Sequence, residues 1–168
     1  MNDGIIVNKV ATSNLVTIDL EKIIGDFEVV PFDIKDLLFM ELMLKEKDFR
    51  EQLAVIEEDR FNDKVVAVYC STDAILAPWA FALVTARISP FARCIYYAEP
   101  ETVAGLYASD QLIKHDWEQY SDRRVILKGC SDKSIPSTAY AFATNMLTRY
   151  ADRIMYGEAC SFVPIWRK

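Results

Sequence analysis

Apolar residues along this chain alternate between short unbroken runs and longer stripes at helical spacing. Four runs read as strands covered on both faces: Val65-Val66-Ala67-Val68-Tyr69, Cys94-Ile95-Tyr96-Tyr97, Val125-Ile126-Leu127 and Ile154-Met155-Tyr156. Three helices are predicted between them. The first runs from Pro78 to Ile88, with proline in its first turn. The second opens at Pro100, carries Val103, Leu106 and Tyr107 on one face and ends near Lys114. The third starts near Pro136 with a stripe of Tyr140, Ala143, Leu147 and Tyr150. A β-α-β-α-β-α-β order predicts an α/β protein, with a mainly parallel sheet holding these four strands and right-handed crossovers between them.

Residues 61–168 form this core, and residues 1–60 read as an N-terminal α+β extension of the same single domain. In the extension, Leu15-Val16-Thr17-Ile18 suits a strand, or Thr17 caps a short helix running to Ile24 before Gly25. Phe27 to Phe32 is extended, with Pro31 marking an edge or a strand end. Asp33 is an N-cap for a helical segment that runs on to Leu44 or breaks near Glu41 into a strand at Leu42-Met43-Leu44, and a helix follows from Lys47 to Val55. The helix from Pro78 is apolar nearly all round, so either the N-terminal region or a homodimer is expected to cover its second face. The tail from Phe162 to Lys168 is expected to lie along the surface.

Composition narrows the partners. The chain has 168 residues, 52% of them hydrophobic, which suits a folded core. A net charge of −6 argues against nucleic acid as a partner. The longest uncharged apolar run, Ala74 to Thr85, is too short to cross a membrane. Met1-Asn2-Asp3-Gly4 lacks the basic start and apolar stretch of a signal peptide, so a cytoplasmic protein is expected. In that compartment its four cysteines are expected to stay reduced.

The candidate chemistry lies in a dipeptide that occurs three times, Cys70-Ser71, Cys130-Ser131 and Cys160-Ser161, each after a predicted strand and each followed by a proline (Pro78, Pro136, Pro164). A shift of sixty residues aligns the first two, together with Val65 on Val125, Ile75 on Ile135, Arg93 on Arg153 and Tyr96 on Tyr156. Strands that share a parallel sheet present their carboxyl ends along one edge, where open α/β sheets bind ligands. If Cys70, Cys130 and Cys160 meet there, three chemistries compete. They bind zinc, with Asp73, Glu158 or water in the fourth position. They hold an iron–sulfur cluster. Or one thiolate, activated by a helix N-terminus, acts as nucleophile or sulfur carrier. Cys94, which begins a strand among apolar neighbours, reads as core.

A rival reading needs no metal. Backbone N–H groups at Ser71 and Ser131, with the hydroxyls of Ser71, Thr72, Ser131 and Ser161, would then bind an anion or small molecule, and the cysteines would only pack. The same serines also suit helix caps. His115 reads as structural at the end of its helix, and Glu58, Asp59, Glu99 and Glu101 read as surface.

The three Cys-Ser motifs stand in wider text: Cys70-Ser71-Thr72-Asp73-Ala74-Ile75, Lys128-Gly129-Cys130-Ser131 and Met155-Tyr156-Gly157-Glu158-Ala159-Cys160-Ser161 with Val163-Pro164. With Leu15 to Leu20 and Lys45 to Glu51, this text resembles the bacterial domain-of-unknown-function family 2480 over nearly the whole chain. The resemblance implies no activity and no catalytic residues. It does imply a genomic setting near sulfur mobilisation, and so iron–sulfur assembly proteins as expected partners.

Overall fold

The structure, a computed structural model, describes residues 14–129 and 134–168. β1 (Leu15–Ile18) leads into the short helix α1 (Leu20–Ile24), and β2 (Val29–Asp33) into a 3₁₀ turn (Ile34–Leu37) and α2 (Glu46–Ala54). There follow β3 (Val65–Tyr69), α3 (Pro78–Ile88), β4 (Cys94–Tyr97), α4 (Pro100–Ile113), β5 (Arg124–Lys128), α5 (Ser137–Leu147), β6 (Arg153–Glu158) and β7 (Ser161–Arg167). Strands alternate with helices and pair mostly in parallel, so the chain is an α/β protein.

The expected single sheet is two sheets. One has the order β2-β3-β4, all parallel, and the other the order β1-β5-β6-β7, with only β7 antiparallel. The four apolar runs therefore divide two and two. The reason lies in the N-terminal strands. Unpaired strand edges are satisfied by whichever strand reaches them, and β1 and β2 each complete a different sheet, pairing with β5 and β3. The chain accordingly forms two units, residues 26–107 and residues 1–25 with 108–168. Helix α4 begins in the first of these and ends in the second.

The two units repeat one another at a shift of 59 residues, not sixty. That shift carries the pair Val65–Cys94 onto Arg124–Arg153. It carries the buried stripe Ala80, Val84, Ile88 of α3 onto Ala139, Ala143, Leu147 of α5. Asp63 and Asp122 both adopt left-handed φ (55° and 57°). Their N–H groups donate to Phe91 O and Tyr150 O, each at 3.0 Å. The aromatic pairs Phe81–Tyr97 and Tyr140–Tyr156 correspond too, and α2 falls on the last nine residues of α4, Leu53 on Leu112. Identities at this shift include Leu53/Leu112, Asp63/Asp122, Val66/Val125, Ala80/Ala139, Ala82/Ala141, Thr85/Thr144, Ile95/Ile154 and Tyr97/Tyr156. The first strands match at a shift of fourteen, which carries Leu15 onto Val29 and the helix-preceding Asp19 onto Asp33.

In the unit of residues 26–107, the core joins one sheet face (Phe32, Val66, Val68) to Phe49 and Leu53 of α2 and to Ala80, Val84 and Ile88 of α3. Alternate strand residues face that side, as the period of two requires. The second face of α3 meets α2, where Trp79 stands edge-on to Phe49 at 5.8 Å. The first of the two expected covers is thus present, supplied by the N-terminal region. In the other unit, Leu20, Leu112, Ile126, Leu147, Ile154 and Met155 are fully buried.

The C-terminal tail is a strand and not a surface strap. β7 pairs antiparallel with β6 through the two-residue turn Ala159-Cys160, and the register shifts between Ile154 and Met155. Pro164 is tolerated because β7 is an edge strand. Gly157, at φ 127°, allows the hairpin to close, since a Cβ there would lie 2.6 Å from Ser161 O.

The repeat makes a matched test. Ala80 and Ala139 are both fully buried where a helix meets its sheet. We expect Ala80→Leu and Ala139→Leu each to lower stability by about 1–3 kcal/mol through overpacking, read from urea unfolding. A neutral result at either position contradicts the equivalence.

Candidate functional site

The thiols are dispersed over separate elements. Cys70 directly follows β3 in the unit of residues 26–107 and is half-buried, its sulfur 3.4 Å from Thr72 Oγ1. Cys160 stands exposed in the β6–β7 turn of the other unit. Cys130 and Ser131 lie outside the described residues. Cys94 begins β4 and is half-buried. Among the described residues, no three His, Cys, Asp or Glu side chains gather as metal ligands would. Asp73 is exposed in the loop after β3, and Ser161 is exposed at the start of β7.

The 59-residue register also separates the Cys-Ser dipeptides. It sets Gly129, the residue after β5, in the slot of Cys70, so the sixty-residue echo was one residue out. Nor does a helix begin at Ser71. Six residues separate it from Pro78, and the N-cap of α3 is Ala77. Ser71 therefore caps no helix, and no helix dipole is supplied at Cys70. The Ser71 N–H is also taken, since it donates to Asp33 Oδ1 at 3.1 Å and is not left for an anion.

What the fold does assemble is a pair of carboxyl edges built around two aspartates. In the unit of residues 26–107, Asp33 ends β2 opposite Tyr69, the last residue of β3. Asp33 Oδ1 accepts from the N–H groups of Lys35 (3.0 Å) and Ser71 (3.1 Å), tying the edge of β2 to the loop after β3. Burial pushes the Asp33 carboxyl up. Hydrogen bonds from Ser71 and Lys35, with the Lys35 charge, outweigh it and hold the group below its ordinary value. Burial, and then the charges of Asp33 and Glu99, push the Tyr69 phenol up, so it stays neutral. Beside these groups opens a cleft of about 470 Å³ lined by Asp33, Asp36, Lys35, Arg60 and Tyr69, with Pro31, Phe32, Leu37 and Ile56 as its apolar part. The Arg60 guanidinium lies over the Phe61 ring at 4.6 Å. Nearby, Thr72 Oγ1 donates to Glu41 O at 2.8 Å, pinning the same loop to a tight turn bridged by Phe39 and Met43.

In the other unit the matching aspartate is paired with a lysine of the chain itself. Asp19 follows β1 where Asp33 ends β2, and Lys128 ends β5 where Tyr69 ends β3. Lys128 Nζ donates to Asp19 Oδ2 at 2.9 Å. That hydrogen bond holds the Asp19 carboxyl below its ordinary value against partial burial, and it raises Lys128 in turn, with Glu158 adding to the field. Asp19 Oδ1 and Glu158 Oε1 are buried with no hydrogen-bond partner among the described residues.

His115 packs among aromatic side chains. Its Nε2 lies 2.8 Å from Tyr120 Oη, its ring stands edge-on to Trp117, and burial lowers its pKa against the pull of Asp116. The four residues Asp19, Asp33, Tyr69 and Lys128 were not singled out from sequence as a site. The signal that finds them is the repeated Val16-x-x-Asp19 and Val30-x-x-Asp33, fourteen residues apart.

The lysine–aspartate pair makes stability depend on pH. The Asp19 carboxyl is depressed below 3.8, so its contribution is complete above that value and is lost as pH falls through the lower, folded value. We expect Lys128→Met to unfold at lower urea than the parent at neutral pH, and the gap to close by about pH 2. A gap that is the same at both pH values would assign the loss to packing of the lysine stem.

The family model described as "Protein of unknown function (DUF2480)" matches residues 4–168. No curated protein and no solved structure matches the chain. Nearly the whole chain is covered, with both aspartates and both units inside the match, and the protein belongs to the DUF2480 family.

Proposed function

We propose that this protein binds a small polar molecule in the cleft at the carboxyl edge of β2 and β3. The observation that carries the reading is the cleft itself. Its volume of about 470 Å³ falls within the range of about 300–1,000 Å³ usual for small-molecule sites. It lies at the end of parallel strands where α/β sheets receive ligands. It joins an apolar wall to a few charged groups and one phenol, the mixture that fixes a ligand's orientation. In this reading Cys70 packs at the strand end and has no chemical role.

A second reading keeps the thiols. Cys160 is exposed in a tight turn and Cys70 sits at a carboxyl edge, both free thiols, and this reading gives them, with Cys130, zinc, iron–sulfur or sulfur-transfer chemistry. Metal analysis separates the two readings. We expect anaerobically purified protein to carry zinc and iron well below one per chain. Stoichiometric metal that is lost in Cys130→Ala and kept in Cys94→Ala would transfer the function to the thiols.

The cleft reading has its own test in amide NMR with a library of small polar fragments. Hits should move the amides of residues 31–37 and 69–71, and Tyr69→Trp, which fills the cleft, should abolish them with the melting temperature kept. Hits that map elsewhere, or no hits at all, would remove the cleft from consideration.

A further inference from the structure

The two carboxyl edges match in strand pairing, and where one has Lys128 beside its aspartate the other has Tyr69, a difference that points to a ligand. The inference rests on reading the cleft as a ligand site. In the closed unit, the Lys128 ammonium meets the Asp19 carboxylate at 2.9 Å. At the equivalent place in the open unit stands the neutral phenol of Tyr69. Asp33 keeps the position and the backbone of Asp19, with φ and ψ of −87° and 117° against −99° and 102°. It also keeps its charge, as its depressed pKa requires.

Its cation, however, is not supplied from the neighbouring strand. Lys35, from the turn after β2, forms a salt bridge with Asp33 Oδ2 at 3.9 Å that is longer than a hydrogen bond, so a ligand ammonium would have to displace or share it. Asp36 adds a second carboxylate to the same cleft. A carboxylate that is partly removed from water and hydrogen-bonded in its charged form favours a cation partner, and a charge-assisted bond to an ammonium is among the stronger such contacts.

We propose that the cleft takes a small molecule with a protonated amine, which sits on Asp33 in the place that the Lys128 ammonium holds on Asp19 in the other unit. The cleft also specifies the rest of the molecule. Arg60, held over the Phe61 ring, is placed for an acidic group on the same ligand, and its planar fork suits a carboxylate. Leu37 and Ile56 offer apolar wall to a short carbon chain. The ligand class is therefore a small amino acid, with amine and acid groups joined by a few carbons. The Tyr69 hydroxyl, neutral at physiological pH, adds one further hydrogen bond.

The probes are 4-aminobutyrate, butylamine and butyrate, titrated separately into the full chain and followed by amide NMR. The Ser71 and Lys35 amides report directly, since both donate to Asp33 Oδ1. We expect 4-aminobutyrate to shift both amides saturably, butylamine to do so more weakly, and butyrate to leave them in place. Asp33→Asn should weaken 4-aminobutyrate at least tenfold. Tyr69→Lys should abolish its binding, because the substituted side chain brings an ammonium of its own to Asp33. Should Asp33→Asn melt early, Tyr69→Lys carries the test alone.

Saturable shifts with butyrate and none with butylamine would overturn the amine assignment and leave an anion-binding cleft. Unchanged 4-aminobutyrate affinity in a folded Tyr69→Lys variant would overturn it as well. If no probe moves a cleft amide while polar fragments do, the amine inference fails and the cleft stands. If neither moves one, both fail together.

Discussion

In each sheet the strand contributed by the N-terminal part of the chain, β1 or β2, has an aspartate at its carboxyl end. The carboxylate has to be satisfied where it stands, because it is largely shielded from water and opposite the last residue of the next strand. Asp33 meets the requirement with two backbone N–H groups from its own 3₁₀ turn and from the loop after β3. Asp19 meets it at Oδ2 alone, with the ammonium of Lys128. The first solution leaves a cleft beside the carboxylate, and the second sets an ammonium against it. The order around both is alike, a first strand with a short helical turn, a helix, a second strand, a second helix and a third strand, and one sheet adds the antiparallel β7.

That the two solutions occur in one chain gives the site its internal control. A cleft found once on a protein surface says little about use. Here the same backbone carries a filled version, and what fills it is a hydrogen-bonded ammonium. The contrast turns a shape into a statement about ligand charge, and it does so without appeal to any other protein.

Much of the fold was legible in the sequence because the runs at Val65, Cys94, Val125 and Ile154 are buried on both faces and the helices open at Pro78, at Pro100 and just after Pro136. Proline at a helix start is a local signal, and local signals survive folding. The division into two sheets was not legible, since which edge β1 or β2 completes depends on contacts far apart in sequence. The tail was missed as a strand because Pro164 argues against pairing, and only an edge position with a shifted register removes the objection. The most instructive miss is the register of the repeat. Matching Cys70-Ser71 to Cys130-Ser131 imposed sixty residues, and chemically conspicuous side chains outweighed the plain apolar positions that fix a helix on a sheet. Ala80 with Ala139 and Ile95 with Ile154 give 59, a register at which the Cys-Ser dipeptides do not coincide, while the aspartates match through the first strands at a shift of fourteen.

The central claim is that the ammonium held by Asp19 shows what Asp33 would receive, with Tyr69 standing where Lys128 stands in the other unit. A crystal structure of the double variant Tyr69→Lys/Lys128→Tyr tests it most directly. The account predicts an unchanged backbone, the substituted side chain at 69 hydrogen-bonded to Asp33 with the cleft there filled, and a new cleft beside Asp19. A substituted side chain at 69 that turns to solvent, or an edge at Asp19 that collapses without opening, would contradict it.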